Sequence, residues 1–118
     1  MNPSKILIVE DNEDLTQGIR WALEQEGFKV TTVSTGEEAT ALIQKNNFDL
    51  TLIDLKLPGM DGIRVMYNLL DLDSEARVII MTAYKVETLL AEVQNRGAIA
   101  ILRKPFEVEE LLKLIAKI

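Results

Sequence analysis

Apolar residues come in two alternating kinds of run along this chain. Residues 6–9, 50–53, 78–81 and 99–102 are short and almost wholly apolar, rich in Ile, Leu and Val, as strands buried on both faces are. Between them apolar positions recur three and four residues apart, the spacing of one helix face. Leu15, Ile19, Ala22 and Leu23 form such a stripe ahead of Gly27, and Ala39, Leu42 and Ile43 form another ahead of Asn46 and Asn47. Ile63, Met66, Leu69 and Leu70 follow Asp61, which predicts an N-cap there. Val86, Leu89, Leu90 and Val93 precede Gly97, and Val108, Leu111, Leu112, Ile115 and Ile118 close the chain. Residues 30–33 are apolar only at their ends, with Thr31 and Thr32 between, which predicts an edge strand.

The pattern therefore predicts five β-α units in a single domain spanning residues 1–118. Strict alternation with doubly buried strands implies a mostly parallel sheet covered by helices on both sides, and five units are too few for a closed eight-fold barrel. The expected fold is α/β, a flavodoxin-like doubly wound (βα)5 with strand order 2-1-3-4-5. That order puts the weak second strand at an edge. It also sets the carboxyl ends of strands one, three, four and five side by side, where such sheets bind ligands.

At those ends stand Glu10 and Asp11, Asp54, Thr82 and Lys104. Each has a local alternative: Glu10-Asp11-Asn12 as a turn and cap, Asp54 as a polar strand terminator, Thr82 as a helix cap, Lys104 as an exposed charge. Their joint placement at one sheet edge favours a site. Clustered carboxylates repel, and one lysine cannot balance three of them. A hard divalent ion can, and Mg2+ suits a few carboxylates, a backbone carbonyl and waters. Mg2+ and an ammonium group together suit phosphoryl transfer, with Asp54, the central acid, as candidate nucleophile.

Composition removes the competing chemistries. The 118 residues include no His and no Cys, so histidine bases, histidine metal ligands and thiolates are excluded. The formal net charge of −6 argues against a nucleic-acid or anionic-membrane surface. The polar amino terminus and the lack of a long apolar run make a cytoplasmic location the expectation. A flavin carrier would want a phosphate-cradling loop where Glu10 and Asp11 stand, and an aspartyl phosphatase a second acid where Lys56 stands.

Four segments together carry a resemblance. Ile6-Leu7-Ile8-Val9-Glu10-Asp11, Leu52-Ile53-Asp54-Leu55-Lys56-Leu57-Pro58-Gly59-Met60-Asp61-Gly62, Ile79-Ile80-Met81-Thr82-Ala83-Tyr84, and Gly97-Ala98 followed by Leu102-Arg103-Lys104-Pro105-Phe106 make the chain similar to a response-regulator receiver domain of two-component signalling. The resemblance implies a phosphoacceptor regulatory domain that assists its own phosphorylation and dephosphorylation. Asp54 would accept a phosphoryl group from a phosphohistidine on a sensor histidine kinase or histidine phosphotransfer protein. Asp11, Asp54 and the backbone carbonyl of Lys56 would ligate Mg2+, with Glu10 direct or through water. Thr82 and Lys104 would contact the phosphoryl oxygens, and Lys104-Pro105 would be cis. A fused or separate output domain would read the result. The alternative is a pseudo-receiver acting as an interaction module without phosphorylation.

The chain departs from that pattern at Ile101, three residues before Lys104, where many receivers carry an aromatic switch residue. Coupling is then expected to be looser or to run directly through the loop and fourth helix. Lys56 and Tyr84 are expected to overhang the site and to hinder hydrolytic water. Gly18, Trp21 and Gln25 form a second stripe on the first helix, which offers Trp21 as a partner anchor. The face of helix four, strand five and helix five, with Val93 and Ile101, is the expected alternative output surface.

Overall fold

The computed structural model describes residues 5–84 and 87–117. In chain order the elements are β1 (Lys5–Val9), α1 (Glu13–Gln25), β2 (Lys29–Val33), α2 (Gly36–Lys45), β3 (Leu50–Asp54), α3 (Gly62–Leu72), β4 (Val78–Thr82), α4 (Glu87–Asn95), β5 (Ala100–Arg103) and α5 (Val108–Ala116). All strand pairs are parallel and the sheet order is β2-β1-β3-β4-β5, as the alternation predicts.

Strand residues of opposite parity face opposite sides of the sheet, so each buried run feeds two cores. Ile6, Ile8, Leu50, Leu52, Ile79 and Met81 pack with Ile19 and Leu23 of α1 and Leu111 and Ile115 of α5. Leu7, Val9, Ile53, Val78 and Ile80 pack with Ala39 and Ile43 of α2, Val65 and Met66 of α3, and Leu90 and Val93 of α4. Fully burying one such aliphatic side chain stabilises the fold by roughly 1.5–3 kcal/mol. The helices start where the polar residues between runs can cap them: Asn12 accepts from the Leu15 N–H, Thr35 from Glu38 and Asp61 from Arg64.

Several boundaries differ from the apolar pattern. β3 and β4 each run one residue past their apolar stretch, because Asp54 pairs with Met81 and Thr82 with Arg103 in the ladder. The strand ends, rather than loops, thus carry both site residues. β5 starts at Ala100 instead of residue 99; the Ile99 N–H donates to Val78, but its side chain is 45% exposed. Val93, expected on an output surface, is fully buried, because it lies on the inner stripe of α4 facing the sheet. Thr16, outside the expected apolar stripe of α1, is buried among it. Val86 and Ile118 lie outside the described residues. Trp21 is 67% exposed, in line with its place on the outer stripe of α1.

After β3 the chain turns back sharply over the sheet edge. Gly59 has φ +74, a left-handed conformation suited to the turn following Pro58. Gly62 donates its N–H to the Leu55 carbonyl at 2.9 Å, and a Cβ added there would stand 2.0 Å from the carbonyl oxygen of Asp54. The first turn of α3 is therefore seated on the backbone of the candidate nucleophile. Gly62→Ala is expected to destabilise the protein by about 3 kcal/mol in urea unfolding, because the obstructing atom is backbone and cannot swing aside. Gly18→Ala, with nothing within 4 Å of its added Cβ, should gain about 0.5–1 kcal/mol as a helix substitution. A wild-type midpoint for Gly62→Ala would show that this close approach is not what seats the loop.

Candidate functional site

The site is assembled from three strand ends and the segment after β5. Glu10 directly follows β1 and its backbone N–H extends the ladder to Val33. Its side chain turns inward and is only 1% exposed. Asp54 ends β3, Thr82 ends β4, and both are buried. Lys104 follows β5, and its backbone N–H donates to the Thr82 carbonyl at 2.8 Å. Its peptide bond to Pro105 is cis, as the resemblance implies.

The Lys104 ammonium joins the acids. Nζ lies 2.5 Å from Glu10 Oε1 and 3.2 Å from Asp54 Oδ2. Each carboxylate uses its second oxygen locally: Glu10 Oε2 accepts from the Asn12 N–H, and Asp54 Oδ1 accepts from the Lys56 N–H. Burial lowers the Lys104 pKa, but the hydrogen bond to Glu10 and the charges of Asp54 and Glu10 outweigh it and hold the group above the usual lysine range. Burial pushes the Glu10 carboxyl up, and the bonds from Lys104 and Asn12 pull it back only in part. Lys104 is thus held in its charged form, while burial disfavours the charged form of Glu10.

Asp11 completes a trio. Glu10, Asp11 and Asp54 each offer a carboxylate oxygen, all within 4.8 Å of one another, and among the described residues they are the only such group. Like charges about 4 Å apart repel by roughly 4 kcal/mol at an effective dielectric near 20, and a lysine attracts each neighbour by a similar amount. Three repulsive pairs against two attractive ones leave the site short of positive charge. Oxygen donors in that arrangement fit a hard divalent ion such as Mg2+.

Of the local alternatives, the turn and cap at Glu10-Asp11-Asn12 is present alongside the site: Asn12 caps α1, and Asp11 is left exposed at the mouth of the cavity. Thr82 does not cap α4, which begins at Glu87; its Oγ1 accepts from the Tyr84 N–H at 2.9 Å. Glu10, Asp11, Asp54, Lys56, Thr82, Tyr84 and Lys104 all line one cavity of about 520 Å3. Every predicted site residue is brought together there, with Lys56 and the 40%-exposed Tyr84 on the rim as expected. Asn12, Leu57, Pro58 and Ala83 line the same cavity and were not singled out from the sequence. Their only signal is adjacency to the acids and to Thr82, since they contribute loop wall rather than charge. Ile101 does not line it; it is half-buried on the face covered by α2, α3 and α4.

Comparison with known proteins agrees with this geometry. Residues 6–116 match the family model described as the response regulator receiver domain. The chain is 34% identical over 117 residues to sporulation initiation phosphotransferase F of Bacillus subtilis (strain 168), covering 99% of this chain and 94% of that protein. Other curated relatives are longer, and the chain spans about half their length or less. Among solved structures, a CheY-like receiver domain protein from Methanospirillum hungatei JF-1 superposes with a TM-score of 0.92 at 32% identity, over 97% of this chain and 91% of that one. The response regulator TrrA from Thermotoga maritima, in complex with Mg(2+)-BeF, gives a TM-score of 0.86 at 27% identity, over 97% of each chain. With its sheet order, acid trio and Thr82–Lys104 pairing in place, the chain belongs to the response regulator receiver domain family, the phosphorylation-dependent switches of two-component systems.

Proposed function

We propose that Asp54 is the phosphoacceptor of this switch, receiving its phosphoryl group from a phosphohistidine of a sensor histidine kinase or histidine phosphotransfer protein. The observation that carries this reading is the placement of Asp54 at the floor of the cavity, with Lys104 on one oxygen and open space above it. An Asp54 carboxylate oxygen attacks phosphorus as the P–N bond breaks, and the electron pair returns to the imidazole, which takes up a proton from solvent. Glu10, Asp11, Asp54 and the Lys56 backbone carbonyl would hold Mg2+, which when bound neutralises charge on the phosphoryl oxygens. The Thermotoga relative is solved with Mg(2+)-BeF, a fluoride complex that stands in for the phosphoryl group, which supports the same assignment here.

Transfer replaces one carboxylate charge with a group carrying up to about two charges and several strong acceptors. Lys104, already on Asp54, follows the new oxygens. Thr82 Oγ1 accepts from the Tyr84 N–H, so its own hydrogen is available to donate to the phosphoryl group. When the hydroxyl moves to do so, the Tyr84 N–H loses its acceptor and the segment after β4 must rearrange. That routes the signal into the loop leading to α4 without an aromatic at position 101, and from there to the α4–β5–α5 face, shifting a population between two packings. An output domain, fused or separate, reads that face. The acidic chain binds no nucleic acid itself, no helix among the described residues is long and apolar enough to cross a membrane, and the domain works in the cytoplasm.

Three outcomes test the reading. Intact-mass measurement with acetyl phosphate and Mg2+ should find one phosphoryl adduct on the wild type and none on Asp54→Asn; an unmodified wild type would favour the pseudo-receiver alternative. Lys56→Ala combined with Tyr84→Ala should shorten the acyl-phosphate lifetime several-fold, because both side chains stand over the cavity mouth; an unchanged dephosphorylation rate would remove that shielding role. Trp21→Ala should weaken phosphodonor binding by about tenfold, as loss of an exposed aromatic anchor does; intact affinity would place docking elsewhere.

A further inference from the structure

A groove of about 380 Å3 lies at the opposite end of the sheet from the phosphoacceptor cavity, walled by Arg77, Ile79, Ile99, Ala100, Leu114 and Lys117. Arg77 directly precedes β4 and Ile99 directly precedes β5, so the groove opens at the amino ends of these strands, whereas Asp54, Thr82 and Lys104 stand at the carboxyl ends. The length of β4, five residues at about 3.3 Å each, separates the two. The backbone around the groove is tied down. Thr51 donates its N–H to the Arg77 carbonyl at 3.0 Å, Ile99 donates to the Val78 carbonyl at 2.8 Å, and Lys117 closes the last turn of α5 on the Leu114 carbonyl at 3.2 Å. The groove is thus formed before any ligand arrives, as small-molecule sites usually are.

Its floor is apolar and its charge is of one sign. Ile79 is fully buried, Ala100 and Leu114 are half-buried, and Ile99 leaves a large part of its side chain uncovered. Arg77 and Lys117 are exposed. Neither makes an ion pair or stacks on an aromatic ring among the described residues, while Arg20, Arg96 and Arg103 each hold a glutamate. Among the described residues no acid lines the groove, although acids outnumber bases in the chain by 19 to 13. Single exposed apolar residues are ordinary. Here a concave apolar surface adjoins two unmet cations in a chain whose net charge has the opposite sign.

Those properties define the occupant. The cations call for an anion, and the Arg77 guanidinium matches a carboxylate with two parallel N–H bonds. The apolar floor calls for an alkyl chain on that anion. The volume falls at the small end of the range for small-molecule clefts, about 300–1,000 Å3, and a protein partner would need an interface of roughly 1,200 Å2 or more to dock stably. We propose that this groove binds a small aliphatic carboxylate, its alkyl chain laid on Ile79, Ile99 and Leu114 and its head group held by Arg77 and Lys117.

The test is an amide-NMR titration of the full chain with sodium octanoate, kept below its micelle-forming concentration and at constant ionic strength. Octylammonium serves as the probe of equal tail and opposite charge. Saturable shifts at Ile79, Ile99, Ala100 and Lys117 are expected for octanoate, with the same affinity in Asp54→Asn. Butanoate should bind at least tenfold more weakly, because it lacks four methylenes each contributing up to about fourfold, and octylammonium at least tenfold more weakly. Arg77→Gln should weaken octanoate binding about tenfold, as loss of a charged hydrogen-bond donor does, and Ile99→Ser several-fold. Both side chains are exposed, so both variants should keep the wild-type thermal midpoint. Absence of saturable shifts, equal affinity for octylammonium, or wild-type affinity in both variants would overturn the proposal. So would shifts at these positions that grow with protein concentration without octanoate, which would mark the groove as a contact between copies of this chain. Tighter binding of end-blocked Leu-Leu-Glu would likewise overturn it and assign the groove to an acidic segment of a protein partner.

Discussion

The structure turns on holding Glu10, Asp11 and Asp54 close together at a sheet edge with a single ammonium group between them. Lys104 is 94 residues from Glu10 and 50 from Asp54 along the chain, yet it bonds to both. Most lysine-carboxylate pairs on protein surfaces contribute little, because water screens them and the side chains lose freedom. Here both carboxylates are almost fully buried and Lys104 is 21% exposed, so deleting the lysine would leave two buried charges without a counterion. The interaction is therefore less a staple than a constraint on the fold. β1 and β3 must be adjacent, and β5 must come within reach across β4, which the order β2-β1-β3-β4-β5 provides.

The same constraint explains why the backbone around the site is fixed so closely. Asp54 is inside the β3–β4 ladder, its carbonyl lies against Gly62, and its side chain takes an N–H from Lys56. Lys104 is tied by its backbone to Thr82, the residue whose hydroxyl is poised over the same cavity. A change of charge on Asp54 can consequently reach Thr82 by two routes: directly through space, and through the lysine whose N–H donates to the Thr82 carbonyl.

Most of this was legible in the sequence because the signals were redundant. Doubly apolar runs at residues 6–9, 50–53 and 78–81 fixed the central strands, and the five-unit alternation left few sheet orders available. The grouping of Glu10, Asp11, Asp54, Thr82 and Lys104 around one cavity follows from their places at the carboxyl ends of β1, β3, β4 and β5. What was not legible depended on facing rather than on type. Val93 reads equally well as core or as surface until the rotation of α4 is known, and Ile99 is as apolar as its neighbours although its side chain lies outside the sheet. Thr16 gave no signal because a threonine one position from Leu15 looks like helix surface; it is nonetheless a buried position of α1, which packs against β2. Leu57 and Ala83 shape the cavity through loop position, which residue type does not encode.

The division between fixed and movable parts also follows from burial. β1 and β3 lie inside the sheet with apolar residues packed on both faces, so moving Glu10 or Asp54 would open two cores at once. β5 is an edge strand with Arg103 exposed, Ile101 only half-buried, and Ile99 outside it, and α4 reaches the core chiefly through Leu90 and Val93. A perturbation at Asp54 meets stiff resistance toward β1 and β3 and much less toward the Thr82–Tyr84 segment and α4. An aromatic at position 101 would add a discrete rotamer to that response. Ile101, β-branched and paired with Ile80, lacks one. On the proposed reading, a Thr82 hydroxyl drawn to the phosphoryl group would leave the Tyr84 N–H in need of another acceptor, and the backbone after β4 would carry the displacement in place of a rotamer.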